Sequence, residues 1–277
     1  MVQLSRCRQR REHVVFIAQR IPQMRSHAIA IAKAAGQILR DGLRNERQIQ
    51  HKSATIDLVT NIDLASEKLI VSQLREQFPD HRIVAEESGD DGRTAEYCWV
   101  IDPLDGTTNY AHGFPFFAVS IALLHNNQPT IGVVYDPWRD ECFVGERGVG
   151  AWLNDQLLHV TNTDTVDAAL LSTGFPYTIR SNPDNNIAEF TRIVLKAQAI
   201  RRGGAAALDI CYVAAGRSEG HWELGLKPWD TAAAAVILAE AGGKLSTWTG
   251  ADWNPWIDRL VATNGAVHAE LVKLLQA

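Results

Sequence analysis

Long apolar runs are missing from this 277-residue sequence: no stretch approaches the roughly 18 consecutive apolar residues that would indicate a membrane span. Cysteine is scarce too. The four cysteines form no C-x-x-C pair, which argues against a zinc site or a disulfide framework and predicts free thiols in a reducing compartment, the cytoplasm. Positive charge is not in excess, and the net charge of −5 gives no general reason to bind nucleic acid or an anionic membrane.

Internal repeats and low-complexity linkers are absent as well. The hydrophobic fraction of 46% and the charged fraction of 21% are typical of a globular chain that buries a real core. Consecutive strand patterns on short turns predict an antiparallel sheet in residues 24–160, and alternating helix and strand patterns follow in residues 161–277. We expect two closely packed halves of α+β or α/β architecture.

The periodicity predicts individual elements in both halves. Predicted helices cover residues 26–43, 61–78, 185–196, 205–215, 231–241 and 266–275, with Ser26 and Asn61 as the caps of the first two. Predicted strands cover residues 56–59, 82–85, 116–124, 130–135, 142–145, 169–173 and 261–262.

The first 23 residues differ from the rest of the chain. Arginines surround a short apolar patch at residues 14–18, which is too short for a secretory signal. Met24 offers a simpler start. We expect residues 1–23 to form a flexible extension outside the active site, so that a chain beginning at Met24 keeps its melting temperature and its turnover.

The most informative stretch begins at Trp99 and reads W-V-I-D-P-L-D-G-T-T-N. The proline after Asp102 favours an extended conformation for that residue, which predicts that Asp102 ends a buried strand. Asp105 follows three positions later, Gly106 permits unusual backbone angles, and Thr107 is suited to open a helix. Two close carboxylates repel each other unless a cation such as Mg²⁺ lies between them, often together with a substrate phosphate. The stretch therefore indicates metal-assisted attack on a phosphate ester, with a hydrogen-bonded turn of surface acids as the alternative.

Further acids lie at the ends of predicted elements. Glu86 and Glu87 follow an apolar strand, although a solvated acidic turn explains them equally well. Asp63 falls in the first turn of a predicted helix, where a negative charge is favourable in any case. Asp230 precedes an alanine-rich helix that its carboxylate would cap, and this capping is the simpler explanation of that residue taken alone.

Taken together, these motifs resemble those of the inositol monophosphatase family, the lithium-sensitive, Mg²⁺-dependent phosphatases of small sugar and polyol phosphates. Besides the central motif at residues 102–109, the matching segments are Lys52 with residues 57–63, then residues 85–88, 203–209 and 223–230. The resemblance covers residues 26–275. It implies a layered αβαβα sandwich of the inositol monophosphatase and fructose-1,6-bisphosphatase type, and it implies a homodimer, which is common in the family.

The resemblance also implies a metal-binding set. Glu86, Asp102 and the backbone carbonyl of Leu104 would hold a first Mg²⁺. Asp102, Asp105 and Asp230 would hold a second. Residues next to the metals, or around a third metal, would be Lys52, Asp63 and Glu87.

Substrate contacts are implied in the same way. Gly106 and Thr107 would donate backbone N–H groups to the phosphate, and Glu86 and Thr107 would orient a metal-activated water for in-line attack. Asp105 and Asp230 would also face the substrate. The alcohol side would be lined by Gly204, Ala205, Ala206 and Glu223. Ala205 departs from the family, which often has Ser or Thr at this position.

The sequence therefore predicts a Mg²⁺-dependent phosphomonoesterase of a small polyol phosphate, with myo-inositol 1-phosphate as the favoured substrate. Alternatives within the same chemistry are fructose 1,6-bisphosphate, histidinol phosphate and 3′-phosphoadenosine 5′-phosphate. Thr108 and Asn109 resemble the inositol branch more than the nucleotide branch, where a lysine commonly follows. The alternative from another class is a non-catalytic interaction protein on the same fold, and the complete set of acids argues against it.

Overall fold

The computed structural model describes residues 2–43, 49–51 and 58–277 of the chain. In the first half the elements are α1 (Val2–Gly42), β1 (Ile49–His51), β2 (Leu58–Thr60), α2 (Asn61–Gln77), β3 (Arg82–Ala85), β4 (Gly89–Asp90), β5 (Tyr97–Asp105), α3 (Thr107–Ala111), β6 (Ala118–His125), β7 (Gln128–Asp136), β8 (Glu141–Glu146), β9 (Gly150–Leu153) and β10 (Gln156–Leu157). In the second half they are β11 (Leu170–Thr173), α4 (Ile187–Val194), β12 (Ala199–Arg201), α5 (Ala206–Ala214), β13 (Gly220–Leu224), α6 (Pro228–Glu240), β14 (Lys244–Ser246), β15 (Arg259–Thr263) and α7 (His268–Gln276).

Most of the strands belong to two sheets. The larger sheet has eight strands in the order β10-β9-β8-β7-β6-β5-β3-β4, and the smaller has five in the order β12-β11-β13-β15-β14. Neighbours in the larger sheet are antiparallel except for β3 and β5, which run parallel. In the smaller sheet β11 is parallel to both of its neighbours. β1 and β2 form a separate antiparallel ribbon.

Helices cover both sheets and fill the space between them. α1 and α2 pack on one face of the larger sheet, while α5 and α6 pack between the two sheets. α4 and α7 contact each other, and their buried side chains share a core with the outer face of the smaller sheet. The layers are therefore helix, sheet, helix, sheet and helix, which confirms the predicted αβαβα sandwich. No helix in the described residues is long and apolar enough to cross a membrane.

α6 lies unusually close to the larger sheet because two strands carry glycine at the contact. A Cβ atom on Gly132 would lie 2.0 Å from the carbonyl oxygen of Ala233, and one on Gly145 would lie 2.9 Å from Cα of Ile237. The helix presents a run of alanines that are almost fully buried. Small residues on both sides thus let the helix backbone rest directly on the sheet.

Most predicted helices and strands are confirmed with ends shifted by a few residues, but the start of α1 is wrong. The helix begins at Val2, and Ser26 lies inside it, where its hydroxyl donates to the carbonyl oxygen of Pro22. Ile21 and Met24 are buried in the core at the spacing of one helix face, so the buried stripe continues N-terminal to the predicted cap.

The predicted cap of α2 is wrong by one residue. Thr60, rather than Asn61, is the N-cap: its hydroxyl accepts hydrogen bonds from the N–H groups of Ile62 and Asp63. In return the Asp63 carboxylate accepts the Thr60 N–H at 3.0 Å. This reciprocal capping box favours Thr60, because an acid stands at the third helical position. The predicted strand at residues 56–59 lies partly outside the described residues, and Leu58–Thr60 of β2 covers its end.

Candidate active site

A cleft of about 500 Å³ opens where β5 meets α5, α6 and β13. It is lined by most of the residues that the sequence singled out, namely Glu86, Asp102, Leu104, Asp105, Gly106, Thr107, Gly204, Ala206, Glu223 and Asp230. Chain segments that are far apart in sequence thus contribute to one site. Residues without a sequence prediction also line it, including the segment 175–178, Arg202, Lys227 and Trp229.

A bulge in β5 brings Asp102 and Asp105 to the same cleft. Asp102 is opposite Ser120 of β6, and Asp105 is opposite Ala118, so three steps along β5 match two along its partner. In a regular strand, residues three apart point to opposite faces, and one extra residue restores the same side. The strand runs to Asp105, so the prediction that Asp102 ends it is wrong. The proline between them has no N–H for the ladder, which favours the irregularity.

Backbone N–H groups fix the three aspartates. Asp102 Oδ1 accepts the N–H of Leu104 at 2.9 Å. Asp105 accepts the N–H groups of Ala206 and Ala207 at 3.1 and 2.8 Å, which joins β5 to the start of α5. Asp230 accepts the N–H of Lys227 at 2.6 Å. Lys227 is the N-cap of α6 and Asp230 is its third residue, so the prediction that Asp230 itself caps the helix is wrong, although its carboxylate binds the N–H of the capping residue. These contacts leave each aspartate lining the cleft while its carboxylate also organises a turn or a helix end.

The electrostatics of the cleft disfavour several negative charges at once. Burial raises the pKa of Asp102 well above its ordinary value, and the nearby charges of Glu86, Asp105 and Asp230 raise it further. The pKa of Asp105 is raised in the same direction, by burial and then by Asp230. Asp230 is partly exposed as a residue, yet desolvation of its carboxyl group raises its pKa to about 8. A cation among these groups would remove the conflict.

The donor chemistry fits a hard divalent cation such as Mg²⁺. The candidate ligands are carboxylate oxygens and one backbone carbonyl, and the cleft presents them without a cysteine or histidine. Within the described residues, no three acidic, histidine or cysteine side chains already form a compact metal-binding cluster. The fit therefore rests on the oxygen donors that share the cleft and on the raised pKa values of its aspartates.

Gly106 and Thr107 form the turn that follows Asp105. Gly106 is the N-cap of α3 with φ of 92°, a left-handed conformation that favours glycine. Thr107 Oγ1 lies 3.1 Å from Asp63 Oδ1 and 3.1 Å from the carbonyl oxygen of Leu104. Asp63 thus contacts Thr107 from behind the cleft and orients its hydroxyl.

Ala205 lies deeper than the residues on either side of it. It is only 1% exposed and lies behind Gly106, where a Cβ on that glycine would be 3.1 Å from the Ala205 Cβ. Gly204 and Ala206 line the cleft instead, and Asp105 binds the N–H groups of Ala206 and Ala207. The expected contact of Ala205 with the alcohol side of the substrate stays a prediction.

Glu87 does not line the cleft, and Lys52 lies outside the described residues. The N–H groups of Glu87 and Ser88 donate at 2.8 Å to the two carboxylate oxygens of Glu67. Glu67 was not predicted from the sequence as a residue of the site. Glu67 lies on the buried face of α2, one turn after Asp63. An acid at a core-facing position of a predicted helix is the signal by which it could have been found.

A second missed residue connects the central and distal motifs. The side-chain amide of Asn109 donates to the carbonyl oxygens of Phe116 and Gly203, at 2.7 and 2.9 Å. It therefore holds the glycine pair before α5 against the turn after β5. The segment 175–178 had no signal, because its place on the cleft wall depends on how the two sheets pack.

Comparison with known proteins agrees with this geometry. A profile described as the inositol monophosphatase family matches residues 21–277. An inositol-1-monophosphatase of Synechocystis sp. is 45% identical over 83% of this chain and 81% of its own length. A Nus factor SuhB of Pseudomonas aeruginosa is 44% identical over 90% of this chain and 94% of its own length. The solved inositol monophosphatase from Anabaena (Nostoc) sp. superposes with a TM-score of 0.85 at 43% identity, covering 93% of this chain and 96% of that one. The chain therefore belongs to the inositol monophosphatase family and is a phosphatase.

Proposed function

We propose that this phosphatase is Mg²⁺-dependent and hydrolyses a small polyol phosphate, with myo-inositol 1-phosphate as its favoured substrate. The observation that carries the proposal is the convergence of Glu86, Asp102, Asp105 and Asp230 in one cleft. Their proximity and burial raise the pKa values of the three aspartates, and a bound divalent cation would reverse this. The cleft also places the left-handed turn at Gly106 next to these acids, where N–H groups at the start of α3 are available to a phosphate.

The metal assignment is the one that the family resemblance implies. Glu86, Asp102 and the Leu104 carbonyl would hold one Mg²⁺, and Asp102, Asp105 and Asp230 would hold the other. Bound Mg²⁺ supplies an acidified water as nucleophile and stabilises charge on the leaving oxygen.

The chain itself prepares the phosphate side of the reaction. Gly106 and Thr107 contribute backbone N–H groups to the phosphate. Thr107 and Glu86 orient the attacking water, and the contact of the Thr107 hydroxyl with Asp63 limits its rotation. This prior orientation lowers the entropic cost of reaching the transition state. A third metal near Asp63 is not needed for this role.

The alcohol side of the substrate faces the other half of the cleft. Gly204 and Ala206 leave room there, and the carboxylate of Glu223 accepts hydrogen bonds from ring hydroxyls. Charged hydrogen-bond partners of this kind contribute about 1.5–3 kcal/mol each. The name of the Synechocystis relative, inositol-1-monophosphatase, supports this choice of substrate.

A substrate panel tests the proposal. Phosphate release is measured with and without Mg²⁺ on myo-inositol 1-phosphate, fructose 1,6-bisphosphate, histidinol phosphate and 3′-phosphoadenosine 5′-phosphate. We expect Mg²⁺-dependent turnover with the highest kcat/KM on the inositol ester. Turnover that persists in a chelator would refute the metal dependence, and a higher kcat/KM on another ester would refute the substrate.

A second candidate function comes from the relatives. Several proteins at 41% identity or above are named as Nus factors, which supports a protein-binding role in addition to catalysis. We propose that such a role, where present, does not replace phosphatase activity, because a binding scaffold does not need the acids of the cleft. A binding assay with the Asp102→Asn protein separates the two: binding without turnover would show a role independent of catalysis.

Two coarser properties belong to the same proposal. We infer a cytoplasmic location, supported by Cys98, Cys142 and Cys211, which are buried free thiols. We also propose that the protein is a homodimer, because homodimers are common in the family. Sedimentation velocity would test the oligomeric state.

A further inference from the structure

His221 lies directly behind the substrate-facing residue Glu223. The two residues are two positions apart on β13, so their side chains are on the same face of the strand. The His221 Nε2 nitrogen is 3.3 Å from Glu223 Oε2. His221 is fully buried, whereas Glu223 reaches the cleft. The buried imidazole of His221 thus contacts the Glu223 carboxylate on the side away from the cleft.

The other side of the imidazole is held by the neighbouring strand. Ser172 of β11 is the direct cross-strand partner of His221, and its hydroxyl oxygen lies 3.0 Å from Nδ1. Nε2 makes no well-aligned hydrogen bond with any described residue, which leaves Glu223 as the group that it faces. When the Ser172 hydroxyl donates to Nδ1, the ring proton is on Nε2, directed at the carboxylate.

Two further residues, Gly174 and Asp209, surround the Glu223 carboxylate. A Cβ on Gly174 would lie 1.8 Å from Glu223 Oε1, so only glycine leaves space for the carboxylate there. Asp209 of α5 is buried and acts electrostatically on both His221 and Glu223. Burial alone would lower the pKa of His221, but the two acids outweigh it and the net shift is upward. The imidazole is therefore a positively polarised group beside two acids, while Arg202 also acts electrostatically on Asp209.

We propose that His221 is a positioning residue for substrate selection: held by Ser172, it fixes the Glu223 carboxylate in the orientation that accepts hydrogen bonds from the polyol hydroxyls. This inference rests on the proposed role of Glu223 toward the alcohol part of the substrate. A glutamate side chain rotates about three torsion angles. When its carboxylate is not anchored beforehand, this freedom is lost on substrate binding, and the lost entropy weakens the binding. Anchoring Oε2 from behind and seating Oε1 against Gly174 leaves the lone pairs that face the cleft for hydroxyl groups.

Two amide substitutions of His221 form a matched test. In His221→Gln the side-chain amide occupies the place of Nε2 and donates to Glu223, whereas in His221→Asn it occupies the place of Nδ1 and meets only Ser172. We expect His221→Asn to lose about tenfold in kcat/KM for inositol 1-phosphate, mainly through KM, and His221→Gln to lose about threefold or less. Hydrolysis of an aryl phosphate, which has no hydroxyls to select, should change little in either variant.

The combination with Glu223→Gln checks that the effect acts through Glu223. In that background we expect His221→Asn to cost less than about twofold more, because the charge to be positioned is already gone. Equal losses in the Asn and Gln variants, an equal loss on the aryl phosphate, or full additivity with Glu223→Gln would each overturn the inference. A wild-type protein without turnover of any polyol phosphate would instead refute the proposed function.

A measurement on the wild-type protein keeps the inference testable should the buried substitutions prevent folding. Nitrogen NMR of the histidine side chains reports which ring nitrogen carries the proton. We expect His221 to be protonated at Nε2, either alone or together with Nδ1. A neutral ring protonated only at Nδ1 would present a lone pair to Glu223 and would overturn the positioning role, whatever the substrate is.

Discussion

The carboxylate of Asp102 has two roles, one structural and one electrostatic. Its Oδ1 accepts the Leu104 N–H, which shapes the bulge of β5, and its charge lies among other acids that raise its pKa. The amide of asparagine retains the oxygen and the hydrogen bond but not the charge. The residue therefore allows the structural and the electrostatic roles to be separated by one substitution.

We expect Asp102→Asn to fold and to lose at least about 10³-fold in kcat, because it removes a charge shared by two proposed metal positions. In a chelator the variant should melt at or above the temperature of the wild type, since one buried like charge is gone. Phosphate release and thermal unfolding measure the two effects. Asp252→Asn, in an exposed loop, is the control and should change neither. Near-normal activity of Asp102→Asn in Mg²⁺ would contradict the two-metal assignment.

The predictability of the site differs from residue to residue. Asp102, Asp105 and Asp230 could be found because each stands next to a strand or helix signal in the chain. Glu67 and Asn109 could not be assigned, since each acts on a backbone group of a segment that only the fold brings near. The depth of Ala205 behind Gly106 could not be read from the sequence either, because it depends on how the start of α5 packs against the turn after β5.

At the scale of elements, α2 supports the active site from behind. Asp63 contacts Thr107, and one turn later Glu67 holds the turn that carries Glu86. One helix face thereby fixes two separate parts of the proposed catalytic set. The N–H groups held by Glu67 need two acceptor oxygens, a requirement that a glutamine does not meet.

Glu67→Gln should therefore weaken metal binding rather than unfold the chain. We expect about a tenfold higher Mg²⁺ concentration at half-maximal activity, the size of effect usual for residues that hold metal ligands in place. Mg²⁺ titrations of phosphate release measure it. Glu76→Gln is the matched control, because Glu76 is exposed on the same helix. An unchanged Mg²⁺ requirement would show that the turn keeps its shape without Glu67.

The contact of α6 with the larger sheet gives a second test of an element. In Gly132→Ala the new methyl group would lie 2.0 Å from the Ala233 carbonyl oxygen, which forces helix and sheet apart. We expect a loss of about 1–3 kcal/mol in the free energy of unfolding, measured in urea. Gly220→Ala serves as the comparison, since its nearest contact is a flexible leucine methyl at 3.1 Å. Equal costs for the two substitutions would contradict the close packing of α6.

Elements with strong periodicity could be predicted from sequence, and their exact ends could not. Thr60 and Asn61 are both good caps, and the choice depends on the acid three residues after Thr60. Ser26 looked like a cap because the same residue types also occur inside helices. The bulge of β5 had a visible cause in its proline, but the pairing that shows it requires β6.

At the scale of the molecule, at least one residue before Met24 contributes to the core. Ile21 is buried with Met24 against the larger sheet, and the family match begins at residue 21. We expect a chain that begins at Arg20 to keep its melting temperature and kcat. A chain that begins at Met24 should melt earlier, by an amount equivalent to about 1–2 kcal/mol for the lost isoleucine. Equal melting temperatures for the two would restore the boundary expected from the sequence.

The stability of the whole chain should fall in mild acid. His81 accepts a hydrogen bond from Trp99 Nε1 at 3.1 Å, and burial, followed by the charge of Arg20, lowers its pKa to about 4. The unfolded chain binds a proton near pH 6.5 and the folded chain only near 4, so stability is lost as the pH falls between these values. His268, whose pKa is also lowered to about 4, acts in the same direction.

Substitution of His81 measures how much of the stability loss in mild acid is due to this residue. Between pH 7 and pH 5 we expect His81→Gln, which keeps an acceptor for Trp99, to lose about 1 kcal/mol less stability than the wild type. Urea unfolding at the two pH values measures the difference. Parallel curves for both proteins would show that His81 is protonated equally in the folded and unfolded states.

Because the backbone of α6 rests on Gly132 and Gly145, the two walls of the cleft should respond differently to mutation. The aspartates that would bind metal stand on β5 and on the start of α6, and α6 rests by backbone contact on β7 and β8 of the sheet that contains β5. Glu223 stands on β13 of the smaller sheet, and the segment 175–178 follows β11 of that sheet. Substitutions in the smaller sheet should therefore alter that wall of the cleft and leave the aspartates in place, whereas a larger residue at either glycine should displace α6 together with Asp230.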